Sequence, residues 1–206
     1  MSIIKKSYFV HLFTETLERI SSKTVYEWVG LCNLNKRKGM NVNTDKTEIT
    51  WHLQMLSPEE LRPKTLLPET QLVRLEIPLP ALNRFFYQEE GKLWQWIDRL
   101  NWSEEEWRNW VECEKVQTWM LLLKGTPAGY FELDDKDGDV EVAYFGLLPQ
   151  FLGKGLGGGF LTAAVKTAWE MGAKRVWVHT CSLDHPNALK NYQARGFQIY
   201  RESLDK

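Results

Sequence analysis

The sequence predicts an α/β protein with a mixed sheet, on three observations. From Val116 onward, β-type runs joined by tight turns give way to an alternation of strand, helix, strand, helix and strand. A glycine-dense segment, Gln150 to Gly159, lies between a strand-like run and an amphipathic one. With 43% hydrophobic and 26% charged residues over 206 positions, the composition is that of a globular chain large enough for one main core.

Residues 1–47 read as an appendage and linker, and residues 48–206 as the domain. Phe13 to Leu31 has helix-like but irregular apolar spacing, and Asn33 to Thr47 is polar and turn-rich; the piece is too short to own a core. Ile49 to Met55 reads as a first strand. Ser57, Pro58 and Glu60 announce a helix, which Pro63 and Pro68 keep short. Val73 to Ile77 is expected to be extended. Ala81 to Phe86, Lys92 to Leu100 and Ser103 to Cys113 are expected to be helical, the last opened by a Ser103/Glu106 capping box. Val116 to Lys124, Ala128 to Leu133 and Val140 to Leu147 follow as strands, turning at Gly125 to Pro127 and Asp135 to Gly138. The helix Leu156 to Met171 is closed by Gly172, the strand Arg175 to Cys181 follows, and the helix Asn187 to Arg195 ends at Gly196 before the strand Phe197 to Arg201.

A net charge of -1 provides no global field for gathering nucleic acid or an anionic membrane, so a small neutral or cationic substrate fits better. Cys32, Cys113 and Cys181 are odd in number and widely spaced, which argues against a disulfide framework. The four histidines form no recognisable ligand set, and no metal is expected. With no cleavage pattern near the start and no apolar run of bilayer length, a cytoplasmic protein is expected; a homodimer is left open.

The glycine segment has a specific physical use. Glycines let backbone N–H groups turn inward and let a phosphate approach without a Cβ in the way, while the first turn of the next helix adds unpaired donors and partial positive charge. Gly153, Gly155 and Gly158 also satisfy GxGxxG, but the strand Arg175 to Cys181 ends without the acid that holds a ribose in a dinucleotide fold. A Walker A loop is excluded because Gly158 is followed by Gly159-Phe160.

Gln150, Gly153 and Gly155 match the motif Q/R-x-x-G-x-G/A, and Ala188, Tyr192 and Gly196-Phe197 match a second, later set. On these residues the chain resembles the GCN5-related N-acetyltransferase (GNAT) superfamily over about Glu48 to Glu202. It is similar to a bacterial branch with Arg84-Phe85-Phe86-Tyr87, Trp94-Gln95-Trp96 and His179 to Pro186. The resemblance implies a central mixed, mostly antiparallel sheet flanked by helices, with a V-shaped splay between Val140 to Leu147 and Arg175 to Cys181. It implies acetyl-CoA (coenzyme A) as cofactor, with Phe145, Gly146 and Leu147 beside the pantetheine arm. Gln150, Leu152, Gly153, Lys154, Gly155, Leu156 and Gly157 would then hold the diphosphate. His185 stands where many members carry an asparagine, and Asn187 is the substitute. The implied activity is acetyl transfer to a primary amine of a small molecule; a protein amine acceptor and a non-catalytic acyl-CoA-binding module are the alternatives.

Such chemistry requires a proton acceptor for the amine, donors for the oxyanion and a proton for the leaving thiolate. Glu141 is the expected base, with Glu132 a weaker candidate, and strand alternation would put Glu141, Ala143 and Phe145 on one face. Tyr192 corresponds to the tyrosine that protonates sulfur, a packed tyrosine being the plain alternative. The oxyanion donor would be a backbone N–H near Phe145 to Leu147. Aromatics between Phe85 and Trp110 would supply core packing or an acceptor wall, with Asp98 as an amine partner. His179 and Cys181 share a face two residues apart, too far to be assumed a thiolate–imidazole pair.

Overall fold

The chain divides into two units, Met1–Lys46 and Thr47–Lys206. The computed structural model describes residues 48–205, so the expected appendage lies outside the described residues. In chain order the elements are β1 (Glu48–Met55), β2 (Thr70–Arg74), α1 (Pro80–Gly91), α2 (Glu104–Val111), β3 (Val116–Leu123), β4 (Thr126–Lys136) and β5 (Asp139–Leu147). They continue with α3 (Gly157–Glu170), β6 (Arg175–Cys181), α4 (Ala188–Ala194) and β7 (Gln198–Asp205). Ser57 and Pro58 open only a single 3-10 turn, Pro58–Glu60.

The strands form one sheet in the order β2-β3-β4-β5-β6-β1-β7. All neighbours are antiparallel except β5 and β6. Two hairpins need consecutive left-handed residues, supplied by Lys124-Gly125 (φ 51° and 79°) and Asp137-Gly138 (φ 60° and 96°). The first strand has an unexpected place: β1 lies between β6 and β7, joining the end of the chain to the parallel pair.

Helices α3 and α4 cover one face, where Phe160, Leu161, Ala164 and Val165 of α3 bury against Phe131 and Leu133 of β4, Val142 of β5 and Val178 of β6. Each of these side chains except Ala164 contributes roughly 1.5–3 kcal/mol through removal from water. Helices α1 and α2 cover the opposite face of β3, β4 and β5. There Phe86 stacks on Tyr130 at 5.1 Å and Tyr87 meets Trp107 edge-on at 5.6 Å.

Two sequence expectations are corrected. The extended segment near residue 73 begins earlier, as Thr70–Arg74 paired with β3. Lys92 to Leu100 is not helical: α1 stops at Gly91, the chain folds back with Gln95 at φ 57°, and Trp94 and Trp96 both donate backbone N–H groups to the Gly91 carbonyl. A Cβ on Gly91 would stand 2.5 Å from the Trp96 Cβ, so the absence of a side chain allows this close return. No helix among the described residues is long and apolar enough to cross a membrane.

Candidate active site

The parallel ladder between β5 and β6 runs from Asp139↔Arg175 to Glu141↔Trp177 and then stops. One extra residue in β5 marks the parting. Leu133 faces Val142 and Glu132 faces Tyr144, leaving Ala143 as a bulge. The strands splay as the resemblance implies, and a cleft of about 1110 Å³ opens at their C-terminal ends.

The bulge also corrects the expected facing of β5. Glu132 and Asp134 are two apart on β4 and share a face, so their partners Tyr144 and Glu141 share it too. Phe145 lies on the other face, with its ring 5.0 Å from Phe160 and 6.4 Å from Tyr192. Alternation therefore does not continue from Glu141 through Ala143 to Phe145.

At one end of the cleft the glycine loop runs into α3. Gly153 and Gly155 have φ of 73° and 77°, and a Cβ at either would meet nothing within 4 Å, so the loop's backbone is bare toward the opening. Lysine and arginine side chains stand over the first turn of α3: a Cβ on Gly158 would lie 2.8 Å from both Lys64 Cδ and Arg195 Nη1. Lys64, Lys190 and Arg195 all line the cleft. Lys64 is held by its N–H bond to Thr162 Oγ1 (2.9 Å), and the Arg195 carbonyl accepts the Arg62 N–H (2.9 Å). An open glycine turn, a helix N-terminus and three cations fit a diphosphate-bearing cofactor such as coenzyme A.

Of the residues expected to bind that cofactor, Phe145, Gly146, Leu147, Leu152, Gly153, Gly155, Leu156, Gly157 and Asn187 line the cleft. Gln150 and Lys154 are not among its lining residues. Gln150 sits in the 3-10 turn Pro149–Phe151, and the Lys154 ammonium lies 5.1 Å over the Phe151 ring. The Asn187 N–H donates to His185 Nδ1 (3.0 Å), whose ring meets Trp94 edge-on at 4.8 Å. Tyr192 lines the cleft from α4, and burial raises its phenol pKa well above the ordinary value.

The other end of the cleft is acidic and aromatic, with Trp94, Trp96, Trp110, Tyr144, Asp98 and Asp184 among its lining residues. Trp107, by contrast, is core. Asp98 accepts hydrogen bonds from the hydroxyls of Tyr87 (3.0 Å) and Tyr144. Asp184 accepts from Thr180 Oγ1 (2.6 Å), the Cys181 N–H (3.1 Å) and Trp96 Nε1 (3.3 Å), which ties the loop after α1 across the end of β6.

The two carboxylates proposed as bases are both engaged. Glu132 is buried and accepts from Asn83 Nδ2 (2.7 Å), Trp110 Nε1 (2.7 Å) and Arg99 Nη1 (3.0 Å). It is also not among the cleft-lining residues, so it is a structural ion pair. Arg99 is itself stacked on Trp102, Trp110 and Tyr144 at 4.3, 4.0 and 4.2 Å. Glu141 lines the cleft, with Oε2 2.7 Å from Lys136 Nζ and Oε1 3.2 Å from His179 Nδ1. Burial alone would raise the Glu141 carboxyl, but the hydrogen bonds from His179 and Lys136 outweigh it and hold the pKa below the ordinary carboxylate value. His179 and Cys181 do share the cleft-facing side of β6. Burial pushes the Cys181 thiol up to about 11, so little thiolate exists near neutrality, and the imidazole is paired with Glu141.

A model of the acetyltransferase (GNAT) family matches residues 81–197. The chain belongs to the acetyltransferase (GNAT) family. Solved GNAT structures have the same fold. The GCN5-related N-acetyltransferase from Sphaerobacter thermophilus gives a TM-score of 0.59 at 12% identity, over 77% of this chain and 50% of that one. Its counterpart from Kribbella flavida gives 0.56 at 16% identity, over 78% and 60%. The tandem GNAT protein from the clavulanic acid biosynthesis pathway gives 0.53 at 15% identity, over 78% and 53%. This chain thus spans about half to three fifths of the length of these GNAT chains. No curated protein matches it.

Lys64, Glu90, Lys190 and Arg195, all lining the cleft of this GNAT chain, carry no functional signal in the sequence, and Asp184 enters there only within the segment His179 to Pro186. Lys64, Lys190 and Arg195 are isolated cations there, brought to α3 only by packing. Glu90 reads as a polar helix position, yet it is buried beside Gly146 of β5. Asp184 gave one usable signal: an acid just past a strand end, able to cap its backbone.

Proposed function

We propose that the chain is an N-acetyltransferase that moves an acetyl group from acetyl-CoA to a primary amine of a small molecule. The observation that carries this reading is a single splayed cleft with an open glycine turn and cations at one end and carboxylates among aromatic rings at the other. Acetyl-CoA supplies an activated acyl thioester when bound. The N–H groups of the loop 152–157 and of the first turn of α3, with Lys64, Lys190 and Arg195, hold its phosphates. Beyond Glu141 the β6-facing edge of β5 has no strand partner, so backbone groups of Phe145, Gly146 and Leu147 are available to the pantetheine arm and to the carbonyl oxygen.

Tyr192 keeps its proton at neutral pH, because burial disfavours the phenolate, and gives it to the leaving sulfur. Asp98 and Asp184 favour a cationic amine at the acceptor end, with the indoles of Trp94 and Trp96 as flat walls. The Trp96 to Asp184 bond and the Trp94 to His185 contact bridge that end, which suits a small acceptor better than an extended polypeptide.

The test is incubation of the full chain with acetyl-CoA and a panel of primary amines from alkyl diamines to arylalkylamines, with detection of free thiol and product mass. Amine-dependent thiol release is expected, falling by about 10² to 10⁴ in Tyr192→Phe while coenzyme A affinity is kept. Cofactor binding without turnover of any amine would instead identify a non-catalytic acyl-CoA-binding module.

A further inference from the structure

We infer that His179 is the group that takes the proton from the attacking amine, and that Glu141 is its positioning residue. This rests on the transferase reading above and departs from the expectation that Glu141 itself is the base. The placement comes from register. Glu141↔Trp177 is the last pair of the parallel ladder, so Trp177 shares the face of Glu141 and Tyr144; His179, two residues on, shares it too. His179 is therefore the next residue of that face beyond the point where β5 and β6 part, and its ring lines the cleft.

Glu141 is poorly arranged to accept a proton directly. One oxygen is held by Lys136 (2.7 Å), which also reaches Asp134 (3.3 Å), and the other by His179 Nδ1 (3.2 Å). Both contacts favour the ionised carboxylate. The same geometry equips the imidazole. With Nδ1–H donated to a fixed carboxylate, the neutral ring carries its lone pair on Nε2, and the carboxylate stabilises the imidazolium that forms. The carboxylates around the ring act in the same sense. The hydrogen bond to Glu141 raises the His179 pKa against the effect of burial, and Asp184 after β6 and Asp98 of the loop after α1 add to the rise. His52 of β1 faces it at 6.1 Å between ring centroids, and Trp177 stands at 6.2 Å. Imidazole titrates near neutrality, where a general base works best, whereas a carboxylate held below its ordinary range does not.

The proton balance closes. An acceptor that enters as its ammonium first loses one proton to solvent; the neutral nitrogen's lone pair then forms the C–N bond, and a remaining N–H proton passes to His179 Nε2. The C–S bond breaks with its electron pair on sulfur, which receives the Tyr192 hydroxyl proton. His179 then releases one proton to solvent, equal to the one that restores the phenol.

The experiment compares the wild-type chain with His179→Gln and Glu141→Gln, using acetyl-CoA and the most rapidly acetylated amine of the panel. It reads the pH profile of kcat/KM, coenzyme A affinity by calorimetry, and the ligand-free NMR titration of the His179 ring. His179→Gln is expected to lower turnover by about 10² to 10⁴, to remove the acidic limb of the profile and to leave coenzyme A affinity unchanged. Glu141→Gln is expected to lower turnover, by less than His179→Gln does, with the acidic limb moved to lower pH, and the NMR titration should move the same way without any ligand. Because His179 is half-exposed on the cleft, its replacement should not disturb folding, which thermal melting checks. An acidic limb of unchanged midpoint in His179→Gln, or a His179 titration identical in wild type and Glu141→Gln, overturns the inference. Absence of amine-dependent thiol release from the wild-type chain overturns the transferase reading beneath it.

Discussion

Burial without a cation beside it favours the protonated form of a carboxyl group, and Glu90 is such a group. Neither of its oxygens meets a well-formed partner. Burial is the largest influence and lifts its pKa well above the ordinary value, aided by the charge of Glu132 and opposed by the Tyr130 backbone. An acid with a raised folded-state pKa binds more protons folded than unfolded, so its contribution is complete below the ordinary carboxylate pKa and is lost as pH rises. Glu90→Gln, neutral at every pH, is therefore expected to be more stable than wild type at pH 7.5 and to lose that advantage near pH 3.5. Urea midpoints at the two pH values check this; an advantage independent of pH would show that Glu90 is not held protonated. Single residues were only partly legible in the sequence. The shared face of His179 and Cys181 followed from a period of two. The Glu141 partner of His179 and the Arg99 partner of Glu132 did not, because each pair joins elements that only the tertiary fold brings together.

Among the elements, the segment between α1 and α2 departs furthest from its local pattern. Its aromatic spacing suits a helix, but Gly91 ends α1, Trp96 folds back over the bare glycine, and the indole N–H finds Asp184 at the end of β6. The contact that wins is a tertiary one, which no local propensity encodes. Gly91→Ala places a Cβ 2.5 Å from the Trp96 Cβ and should displace the loop that carries Asp98. The expected results are a loss of about 1–3 kcal/mol in stability and a raised KM for the amine with unchanged coenzyme A affinity, read by urea unfolding and steady-state kinetics. The bulge in β5 escaped the sequence for a related reason. Alternation counts residues, and one inserted residue at Ala143 moves Phe145 onto the face opposite Glu141. The two hairpins and the capping box of α2 were legible, since Lys124-Gly125, Asp137-Gly138 and Ser103/Glu106 act within a few residues of one another.

For the molecule as a whole, the layout of the cleft follows from the sheet. A single parallel pair within an otherwise antiparallel sheet splays after three paired residues, and α3 begins at the opening. The glycine segment made this end of the site legible, because open backbone before a helix has few other physical uses. The acceptor end was not legible, being assembled from loops far apart in the chain. The central claim is that the amides around Gly153 and Gly155 grip a diphosphate. Isothermal titration of the full chain with acetyl-CoA tests it most directly, beside Gly155→Val, where a β-branched residue at φ 77° is strained by about 1–3 kcal/mol. The account predicts saturable one-to-one binding to the wild-type chain, weakened by about tenfold or more in the variant. Folded wild-type protein that binds neither coenzyme A nor acetyl-CoA would contradict it.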